Sequence, residues 1–316
     1  MQRLRIVAVS NCSDIHFIIG AEGQIGRFLS HKFYLEEKLF FHSARNAIKI
    51  TGSNGGVVLD IAAKRPLRKF LTKNYVTSVI VLAARCEPGQ QNDSKEDTYT
   101  HNVSFLKGLV EDFKGTYVKK IFFASSREIF GDQPGEFCEV SPVNPCNFYA
   151  ESKILGEEIL SEFGIDFGVD VVTGIFFNQE SGFRKVGFVR DVLGQIYSLP
   201  DERPSEIHCE FDFEKDWTHA SDGAAAISNL LDLSKSGRFV ISRGDLHSAN
   251  DLVSELASQA GISNIGIKFK DRNKRDGQKG VNNKIRELAG WSPILSFTEM
   301  VEKIYKEFFY ESTRSG

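Results

Sequence analysis

A glycine-rich turn near the amino terminus constrains this chain more than any other feature. The apolar run Ile15–Ile19 (IHFII) is followed at once by GAEGQIG, where helical spacing begins. In a strand–turn–helix, Gly20 permits the tight turn, Gly23 lets a pyrophosphate approach the backbone, and Gly26 lets the helix pack close to the strand. The N–H groups at the start of such a helix attract phosphate oxygens. The sequence therefore predicts a dinucleotide-binding turn, with a purely structural tight turn as the alternative.

Apolar runs of strand length alternate with amphipathic stretches through the first half of the chain. The strand-like runs are Ile15–Ile19, Leu39–His42, Val57–Ile61, Ser78–Ala84, Lys120–Ala124 and Val169–Phe177. The helix-like stretches between them are Gln24–Phe33, Lys64–Lys73, Asp97–Phe113 and Tyr149–Phe163. This alternation is typical of a parallel sheet covered by helices on both faces, and it predicts the doubly wound α/β (Rossmann) fold.

The pattern changes after about residue 177, where strands become sparser. The later helix-like stretches are Leu193–Leu199, Ala224–Leu233, Asn250–Gln259 and Phe297–Phe309, and the short strand-like ones are Phe239–Ser242 and Ile265–Phe269. We therefore expect residues 1–14 to form an amino-terminal extension and residues 15–177 a dinucleotide-binding Rossmann domain. Residues 178–316 are expected to form mainly a smaller substrate-binding lobe, with some elements packing back on the Rossmann sheet.

The charge balance and the cysteines limit the kinds of partner and compartment. The 316 residues include 39 Lys and Arg against 42 Asp and Glu, a net charge of −3, so there is no basic excess to bind a nucleic acid. The 5 cysteines show no C-x-x-C spacing, which argues against a disulfide framework or a zinc site. No apolar run approaches the roughly 18 residues of a membrane span, and residues 1–14 lack a signal-peptide core. We expect a cytoplasmic protein that binds neither nucleic acid, membrane nor metal.

Further residues are expected to contact a dinucleotide. The second strand-like run leads into FFHSAR without the acidic residue typical of NAD sites, and Arg45 is placed to pair with a 2′-phosphate. This favours NADP over NAD, with an exposed loop arginine as the alternative reading. Asp60 and Ile61 end the third run, where Asp60 is positioned for the adenine amino group. The remaining candidates lie at the glycine turn and at the end of the fourth run, and they are Gln24, Ile25, Ala83 and Ala84.

The segment YAESK carries the strongest catalytic signal. Tyr149 and Lys153 lie four residues apart, so their side chains share one face of a helix. An ammonium and a positive nicotinamide nearby favour the phenolate, so Tyr149 can act as acid or base at a sugar hydroxyl, while Lys153 can also bond the nicotinamide ribose. A surface helix with an ordinary lysine is the alternative.

The strand-like run Lys120–Ala124 ends in SSRE, at what should be the carboxyl edge of the sheet. There Ser126 can hydrogen-bond the reacting oxygen, and Glu128 can take a proton from a carbon next to a carbonyl. The order of glycine turn, serine-bearing strand end and Y-x-x-x-K favours catalysis over the structural reading of each motif alone.

Taken together, GAEGQIG, VLAA, ASSREIFG, YAESK and the late GWSP resemble the extended short-chain dehydrogenase/reductase family, over residues 15–309. Two segments narrow the resemblance to GDP-mannose 4,6-dehydratases. They are TGIFFNQESGFRKVGFV at residues 173–189 and KDWTHASD at residues 215–222. The family pairs two helices per subunit in a four-helix bundle, which implies a homodimer through Asp97–Phe113 and Tyr149–Phe163.

The resemblance also implies roles for individual residues. Asn178 would contact the sugar-phosphate region of the substrate, and Arg184 would grip its pyrophosphate with a forked guanidinium. The basic run DRNKR is typical of a solvated surface segment, and the alternative is that Arg272 or Arg275 reaches a phosphate of the substrate. The residues that match the catalytic set of the family are Ser126, Glu128, Tyr149 and Lys153.

The favoured reading is an NAD(P)-dependent nucleotide-sugar 4,6-dehydratase acting on a GDP-linked sugar. Such an enzyme oxidises C4, eliminates water across C5 and C6 and returns the hydride. Three departures from the dehydratase pattern leave the reaction open: Arg127 replaces Ser or Asp, Gly182-Phe183 replaces Pro-Arg, and Lys215 replaces Arg.

One alternative function is a nucleotide-sugar 4-epimerase or 4-keto reductase, because SSREIFG also resembles epimerase strand ends. These enzymes do not need Glu128. The other is a non-catalytic NADP-binding sensor.

Overall fold

A computed structural model describes residues 14–43, 58–59, 67–85, 95–198, 205–262 and 265–314 of the chain. Three residues predicted to contact the cofactor, Arg45, Asp60 and Ile61, lie outside the described residues, as does the amino-terminal extension up to residue 13. Arg272 lies on a described strand, but its side chain lies outside the described part.

Strands make up four sheets within the described residues. In chain order they are β1 (Ile15–Ile19), β2 (Leu39–Ser43), β3 (Val58–Leu59), β4 (Ser78–Val81), β5 (Lys120–Ser126), β6 (Gly135–Phe137), β7 (Asp170–Phe176), β8 (Asn178–Glu180), β9 (Ser205–Lys215), β10 (Trp217–His219), β11 (Gly237–Ile241), β12 (His247–Ser248), β13 (Ile265–Arg275) and β14 (Gln278–Gly280).

The helices of the described residues follow the strands in alternation through the first half. They are α1 (Gln24–Leu35), α2 (Leu67–Lys73), α3 (Lys95–Thr98), α4 (Phe105–Phe113), α5 (Phe148–Phe167), α6 (Phe188–Tyr197), α7 (Ala220–Leu231), α8 (Ala249–Gln259), α9 (Asn283–Ala289) and α10 (Phe297–Arg314). A π-helical turn (Tyr99–Ser104) joins α3 to α4, and a 3₁₀ turn (Arg127–Phe130) follows β5.

The main sheet has seven strands in the order β11-β7-β5-β4-β1-β2-β3, and every described pairing in it is parallel. The chain runs outward from β1 in one direction to β3, then returns to β4 and runs outward in the other direction. The crevice for a ligand in such a sheet opens where the strand order reverses, at the carboxyl ends of β1 and β4. The predicted doubly wound Rossmann fold is confirmed.

Alternate residues of each central strand face opposite helical layers. On one face, Phe17 and Ile121 pack against α2, α4 and α5, and on the other, Ile18 and Phe122 pack against α1 and α7. All four side chains are 0% exposed. Continuous apolar strands are therefore explained by burial on both faces, each large side chain contributing roughly 1.5–3 kcal/mol by leaving water.

The second half of the chain divides its elements between the sheet and a separate core. β11 pairs with β7 at the edge of the main sheet, and α7 packs on α1. A separate apolar cluster joins α6, α8 and α10 to β9 and β13, which are paired in parallel. Ile207, Leu252 and Ile304 are 0% exposed within it. This second core forms one wall of the cleft above the carboxyl edge of the main sheet.

Two short parallel ladders connect that wall to the main sheet. β14 pairs with β6, so Gln278 lies opposite Gly135, in the segment between β5 and α5. β10 pairs with β8, so Trp217 lies opposite Asn178 just after β7. The ladders hold segments from both halves of the chain against each other beside the end of β5.

Candidate active site

The glycine turn has the close packing that its sequence predicts. Gly20 adopts φ +94°, and a Cβ there would lie 2.7 Å from the backbone nitrogen of Ala83. A Cβ on Gly26 would lie 2.4 Å from the carbonyl oxygen of Gly20, whereas one on Gly23 would meet only that oxygen, at 3.4 Å. Gly20 and Gly26 are thus required by packing, and Gly23 leaves one side of the turn open.

The start of α1 fits a dinucleotide phosphate. Gly23 precedes the helix and supplies no side-chain hydrogen bond to its first turn, so the N–H groups there are not capped by a side chain. Uncapped N–H groups at a helix N-terminus bind anions. Ile25 packs against the core from this first turn. Ala83, beyond the end of β4, lies against Gly20, and Ala84 follows it in the chain.

The side chain of Gln24 is engaged within the protein. Its Nε2 donates to the carbonyl oxygen of Gln179 at 2.9 Å, and its Oε1 accepts from Ser181 Oγ at 3.0 Å. These bonds tie the start of α1 to the segment after β8. Gln24 can therefore contact a cofactor through its backbone N–H, while its amide joins the two halves of the cleft.

Tyr149 and Lys153 lie on the first turns of α5, on the face toward the end of β5. Lys153 is 3% exposed, and its Nζ donates to the carbonyl oxygen of Ala124 at 2.7 Å. The same nitrogen lies 5.5 Å from the centre of the Tyr149 ring and 4.9 Å from that of Phe123. The Lys153 ammonium is thus fixed beside the Tyr149 ring. Ala124, which accepts its hydrogen bond, lies two residues before Ser126 on β5.

Ser126 and Glu128 lie where β5 passes into the 3₁₀ turn. Ser126 Oγ accepts a hydrogen bond from the backbone N–H of Glu128 at 3.3 Å. The Glu128 carboxylate accepts from the side-chain amide of Asn147 at 2.9 Å, and Asn147 Oδ1 accepts from the N–H of Ala150 at 2.8 Å. Asn147 therefore caps α5 and at the same time holds Glu128 toward the Tyr149 end of that helix.

A half-buried carboxylate on α5 lies near Lys153 and fixes the end of β5. Glu157, one turn further along α5, accepts a hydrogen bond from Ser125 Oγ and lies 3.0 Å from Nε of Arg238 on β11. Burial raises the pKa of Glu157, while the hydroxyl, the guanidinium and the Lys153 ammonium oppose that rise. The end of β5 is thereby fixed from both α5 and β11.

A cavity of about 730 Å³ opens between the turn that follows β5, through Arg127, and the β9–β13 wall, and its described lining does not include Ser126, Glu128, Tyr149 or Lys153. Asn178 lines it, as the sequence predicts for a substrate contact, and so do Arg127 and Lys215. Three phenylalanines line it as well: Phe188, Phe211 and Phe213. Its size and its mixture of aromatic and charged groups suit a small polar molecule with an aromatic part.

Arg184, the predicted pyrophosphate ligand, is engaged elsewhere. Its Nη1 lies 2.8 Å from Glu180 Oε1 and donates to the carbonyl oxygen of Gln179 at 3.2 Å. Its Nε donates to the carbonyl oxygen of Val186 at 3.0 Å. Arg184 is absent from the described lining of the 730 Å³ cavity. The structure thus places it as a brace for the loop that follows β8.

Two asparagines at the site were not singled out from the sequence. Asn102, in the π-helical turn, accepts from the N–H of Arg85 at 2.8 Å and donates to Ser152 Oγ at 3.0 Å, which links the end of β4 to α5. No local pattern marks it, because its partners are distant in sequence. Asn147 had a signal, since an asparagine directly before a helix is a preferred cap.

Comparison with known proteins places the chain in a family. The model of the family described as "GDP-mannose 4,6 dehydratase" matches residues 17–304. The chain belongs to this family. It is 25% identical over 200 residues to GDP-mannose 4,6 dehydratase 1 of Arabidopsis thaliana, covering 60% of this chain and 54% of that protein. It is 23% identical over 325 residues to GDP-mannose 4,6-dehydratase sdnI of Sordaria araneosa, covering 91% of this chain and 60% of that protein. The chain spans little more than half the length of the curated GDP-mannose 4,6 dehydratases it matches.

A solved structure shows the same fold as this member of the GDP-mannose 4,6 dehydratase family. It is a UDP-glucose-4-epimerase from Stenotrophomonas maltophila with bound NAD and formylated UDP-arabinopyranose. The TM-score is 0.83 at 16% identity, covering 96% of this chain and 100% of that one. Within the described residues, no helix combines the length and the apolar character needed to cross a membrane.

Proposed function

We propose that this protein is an NAD(P)-dependent nucleotide-sugar 4,6-dehydratase that acts on a GDP-linked sugar. One observation carries the proposal. Asn147 holds the Glu128 carboxylate at the start of α5, the helix that carries Tyr149 and Lys153, and Ser126 lies next to Glu128. A dehydratase needs a base for C5 in addition to the phenol that acts at C4. The membership in the GDP-mannose 4,6 dehydratase family supports the same reaction and the guanine nucleotide.

The roles of the side chains follow from their positions. The Lys153 ammonium favours the phenolate form of Tyr149, and this phenolate takes the proton from the C4 hydroxyl. Ser126 donates a hydrogen bond to the C4 oxygen, which becomes a carbonyl. Glu128 takes the C5 proton and passes it to the C6 hydroxyl, which leaves as water. A proton from solvent then returns to C5 as C6 is reduced, which balances the proton that Tyr149 has taken and releases. A nicotinamide cofactor held at the glycine turn would supply the hydride acceptor at C4 and the hydride donor at C6.

We propose NADP as the cofactor, with NAD as the alternative. The support for a dinucleotide is the uncapped start of α1 next to Gly20, Gly23 and Gly26. The choice of NADP depends on Arg45, because a guanidinium pairs with a 2′-phosphate. The fold relative from Stenotrophomonas maltophila contains NAD. Fluorescence titration of the wild-type protein and an Arg45→Ala variant with both cofactors decides between them.

Product analysis tests the reaction. Purified protein is incubated with GDP-, UDP-, dTDP- and CDP-sugars, and formation of a 4-keto-6-deoxy product with no net oxidation of NADPH is expected from a GDP-sugar. Glu128→Gln should lower that rate by about 10²-fold or more, because the C5 base is lost. Glu158→Gln, an exposed change on α5, is the matched control and should retain the rate. The absence of a 4-keto product with every donor would contradict the proposal.

A 4-epimerase is the second candidate, favoured by the fold shared with a UDP-glucose-4-epimerase. That reaction uses Ser126, Tyr149 and Lys153 but has no step at C5. The Glu128→Gln variant separates the two, because epimerisation should continue at a nearly unchanged rate. Net oxidation of NADPH with a 4-keto sugar would indicate a reductase instead.

We also propose a cytoplasmic homodimer that pairs through α4 and α5. Apolar side chains on α5 support this, since Phe148, Leu155 and Ile165 are 40%, 37% and 80% exposed. The three described cysteines are free thiols, which suits a reducing compartment. Light scattering tests the oligomer, and a monomeric mass would contradict it.

We also propose that the chain divides into a Rossmann domain up to residue 177 and a substrate-binding lobe beyond it.

A further inference from the structure

The side-chain amide of Gln24 bonds to the strand that follows β7, although Gln24 belongs to the glycine turn by sequence. Its Nε2 donates to the carbonyl oxygen of Gln179 at 2.9 Å, and Ser181 Oγ donates to its Oε1 at 3.0 Å. The two partners lie 155 and 157 positions later in the chain. Both polar atoms of one amide are thus engaged by a single stretch of three residues.

These two hydrogen bonds are shielded from water. Gln179 and Ser181 are 6% and 2% exposed, and Gln24 is half-buried. Without the Gln24 amide, the Ser181 hydroxyl would lose the acceptor of its proton at a site that water does not reach. Leaving a buried polar group unsatisfied costs about 1–3 kcal/mol, so the segment would have to shift to find another partner.

The segment anchored by Gln24 forms part of the wall of the 730 Å³ cavity. Asn178, one residue before Gln179, lines this cavity. Its Oδ1 accepts from Arg127 Nε at 3.3 Å, and its Nδ2 donates to the carbonyl oxygen of Asp216 at 3.2 Å. A shift of the segment would move Asn178 relative to these partners. The Gln24 amide therefore bears on the shape of the cavity as well as on the glycine turn.

The backbone of Gln24 has a different role from its side chain. Gln24 is the first residue of α1, and no side-chain hydrogen bond caps this end of the helix. N–H groups at such an end bind the phosphates of a dinucleotide. A substitution of the side chain leaves the backbone N–H in place. The contact with a cofactor and the link to β8 are therefore separable.

Other contacts hold the β8 segment in its fold. β10 pairs with β8, so that Thr218 lies opposite Gln179. Arg184 Nη1 also donates to the Gln179 carbonyl oxygen, at 3.2 Å, and the N–H of Gly182 donates to Glu307 Oε2 at 3.0 Å. All of these contacts come from the second half of the chain. Loss of the Gln24 amide should therefore leave β8 folded but free to shift relative to α1.

We propose that Gln24 is a positioning residue for the nucleotide-sugar, and that it acts through Asn178. Its amide fixes the strand that carries Asn178, while only its backbone N–H serves the cofactor. The inference rests on the proposed function for the identity of the ligand. It gives a residue of the dinucleotide motif, which the sequence predicts as a cofactor contact, a part in binding the second ligand of the cleft.

Binding without turnover tests the proposal. Calorimetry measures the affinities of GDP, UDP and NADP for the full chain and for Gln24→Met, which keeps the length of the side chain but lacks the amide. We expect the affinity of the preferred diphosphate to fall about 5- to 30-fold, while the NADP affinity changes less than about threefold. Gln259→Met is the control, because it removes an amide that bonds to Glu255 within α8, and it should bind both ligands like the wild type.

A double-mutant cycle separates positioning from a general loss of stability. Ser181→Ala removes the other partner of the same hydrogen bond and should weaken diphosphate binding in the same direction. The double variant should bind the diphosphate about as weakly as Gln24→Met alone, since the shared bond is already lost. A general loss of stability would instead weaken both ligands. Ser181→Ala also keeps the proposal testable if Gln24→Met does not fold.

Three outcomes would overturn the proposal. They are an unchanged diphosphate affinity in Gln24→Met and Ser181→Ala, an equal loss of diphosphate and NADP affinity, or fully additive losses in the double variant. A wild type that binds neither GDP nor UDP would overturn both this inference and the proposed function. A wild type that binds a diphosphate and NADP but forms no 4-keto sugar would contradict the proposed function alone, because the selective loss of diphosphate affinity does not depend on turnover.

Discussion

The Asn147 side-chain amide donates a hydrogen bond of 2.9 Å to the Glu128 carboxylate. The same side chain accepts the N–H of Ala150 through its oxygen and so begins α5, the helix of Tyr149 and Lys153. One residue thus sets both the start of the catalytic helix and the position of the candidate C5 base. The two roles use different atoms and are separable by substitution.

Asn147→Ser keeps a hydroxyl that can cap α5 but removes the amide donor to Glu128. Asn147→Ala removes both. We expect dehydratase kcat to fall roughly tenfold in both variants, because a charge-assisted hydrogen bond that positions the base is lost. Only the alanine variant should also lose about 1 kcal/mol of unfolding free energy, measured by urea denaturation, since it lacks a cap. Wild-type kcat in Asn147→Ser would contradict a positioning role.

Gly26 and Gly194 form a matched pair of helical glycines. A Cβ on Gly26 would lie 2.4 Å from the Gly20 oxygen, whereas one on Gly194 in α6 has nothing within 4 Å. Gly26→Ala should therefore cost about 1–3 kcal/mol of stability and weaken cofactor binding, because the turn must open. Gly194→Ala should stabilise the protein by about 0.5–1 kcal/mol with unchanged cofactor affinity. Thermal melting with and without NADP measures the stability and the cofactor binding of each variant. A Gly26→Ala variant with wild-type stability and cofactor binding would contradict the close packing of the glycine turn.

The affinity for GDP should depend on pH through Lys215. Its pKa is lowered to about 8 by burial first and then by Arg127, while Glu180 and Glu128 act in the opposite direction and Arg184 adds to the lowering. Lys215 lines the 730 Å³ cavity, and the phosphates of a GDP molecule bound there prefer the protonated amine. The affinity is therefore full below this pKa and is lost as pH rises through it. Between pH 7 and pH 9 we expect a loss of up to about tenfold in the wild type. Calorimetry on Lys215→Met should show a flat profile, and an identical slope in both proteins would exclude Lys215 as the titrating group.

Stability should depend on pH through a buried histidine at the opposite end of the sheet. Burial lowers the pKa of His16 from 6.5 to about 4, and its Nδ1 bonds to Ser78 Oγ. Below pH 6.5 the unfolded chain takes up a proton that the folded protein refuses until about pH 4. The unfolding free energy therefore decreases over this window, by up to about 3 kcal/mol. His16→Gln lacks this group, so its urea midpoint should fall less between pH 7 and pH 5; parallel slopes would contradict the assignment.

Much of the fold was predictable because its signals are local. Continuous apolar runs identified the central strands, and Ile15–Ile19 was predicted with its actual bounds. β9 was missed although Ile207, Cys209, Phe211 and Phe213 alternate with polar residues. That period of two is typical of a strand with one buried face. Its partner β13 lies about 60 residues later, so pairing gave no local cue.

The part of the candidate site that depends on local sequence signals was also predictable. The spacing of Tyr149 and Lys153 predicts one helix face, and both lie on α5. The contacts that orient the site connect residues far apart in the chain, as Arg127 and Gln278 do across 151 positions. Such partners depend on the register of β6 and β14, which no sequence motif specifies. For this reason the partners of Arg127 could be identified only in the folded protein.

The ladder between β6 and β14 has a mechanical consequence. It fastens the connection from β5 to α5 onto the wall built from β9 and β13, and Arg127 reinforces the attachment through Gln278. The turn bearing Glu128 is therefore bonded to two bodies, the wall through Arg127 and the start of α5 through Asn147, so the wall cannot shift relative to the main sheet without straining one of these contacts.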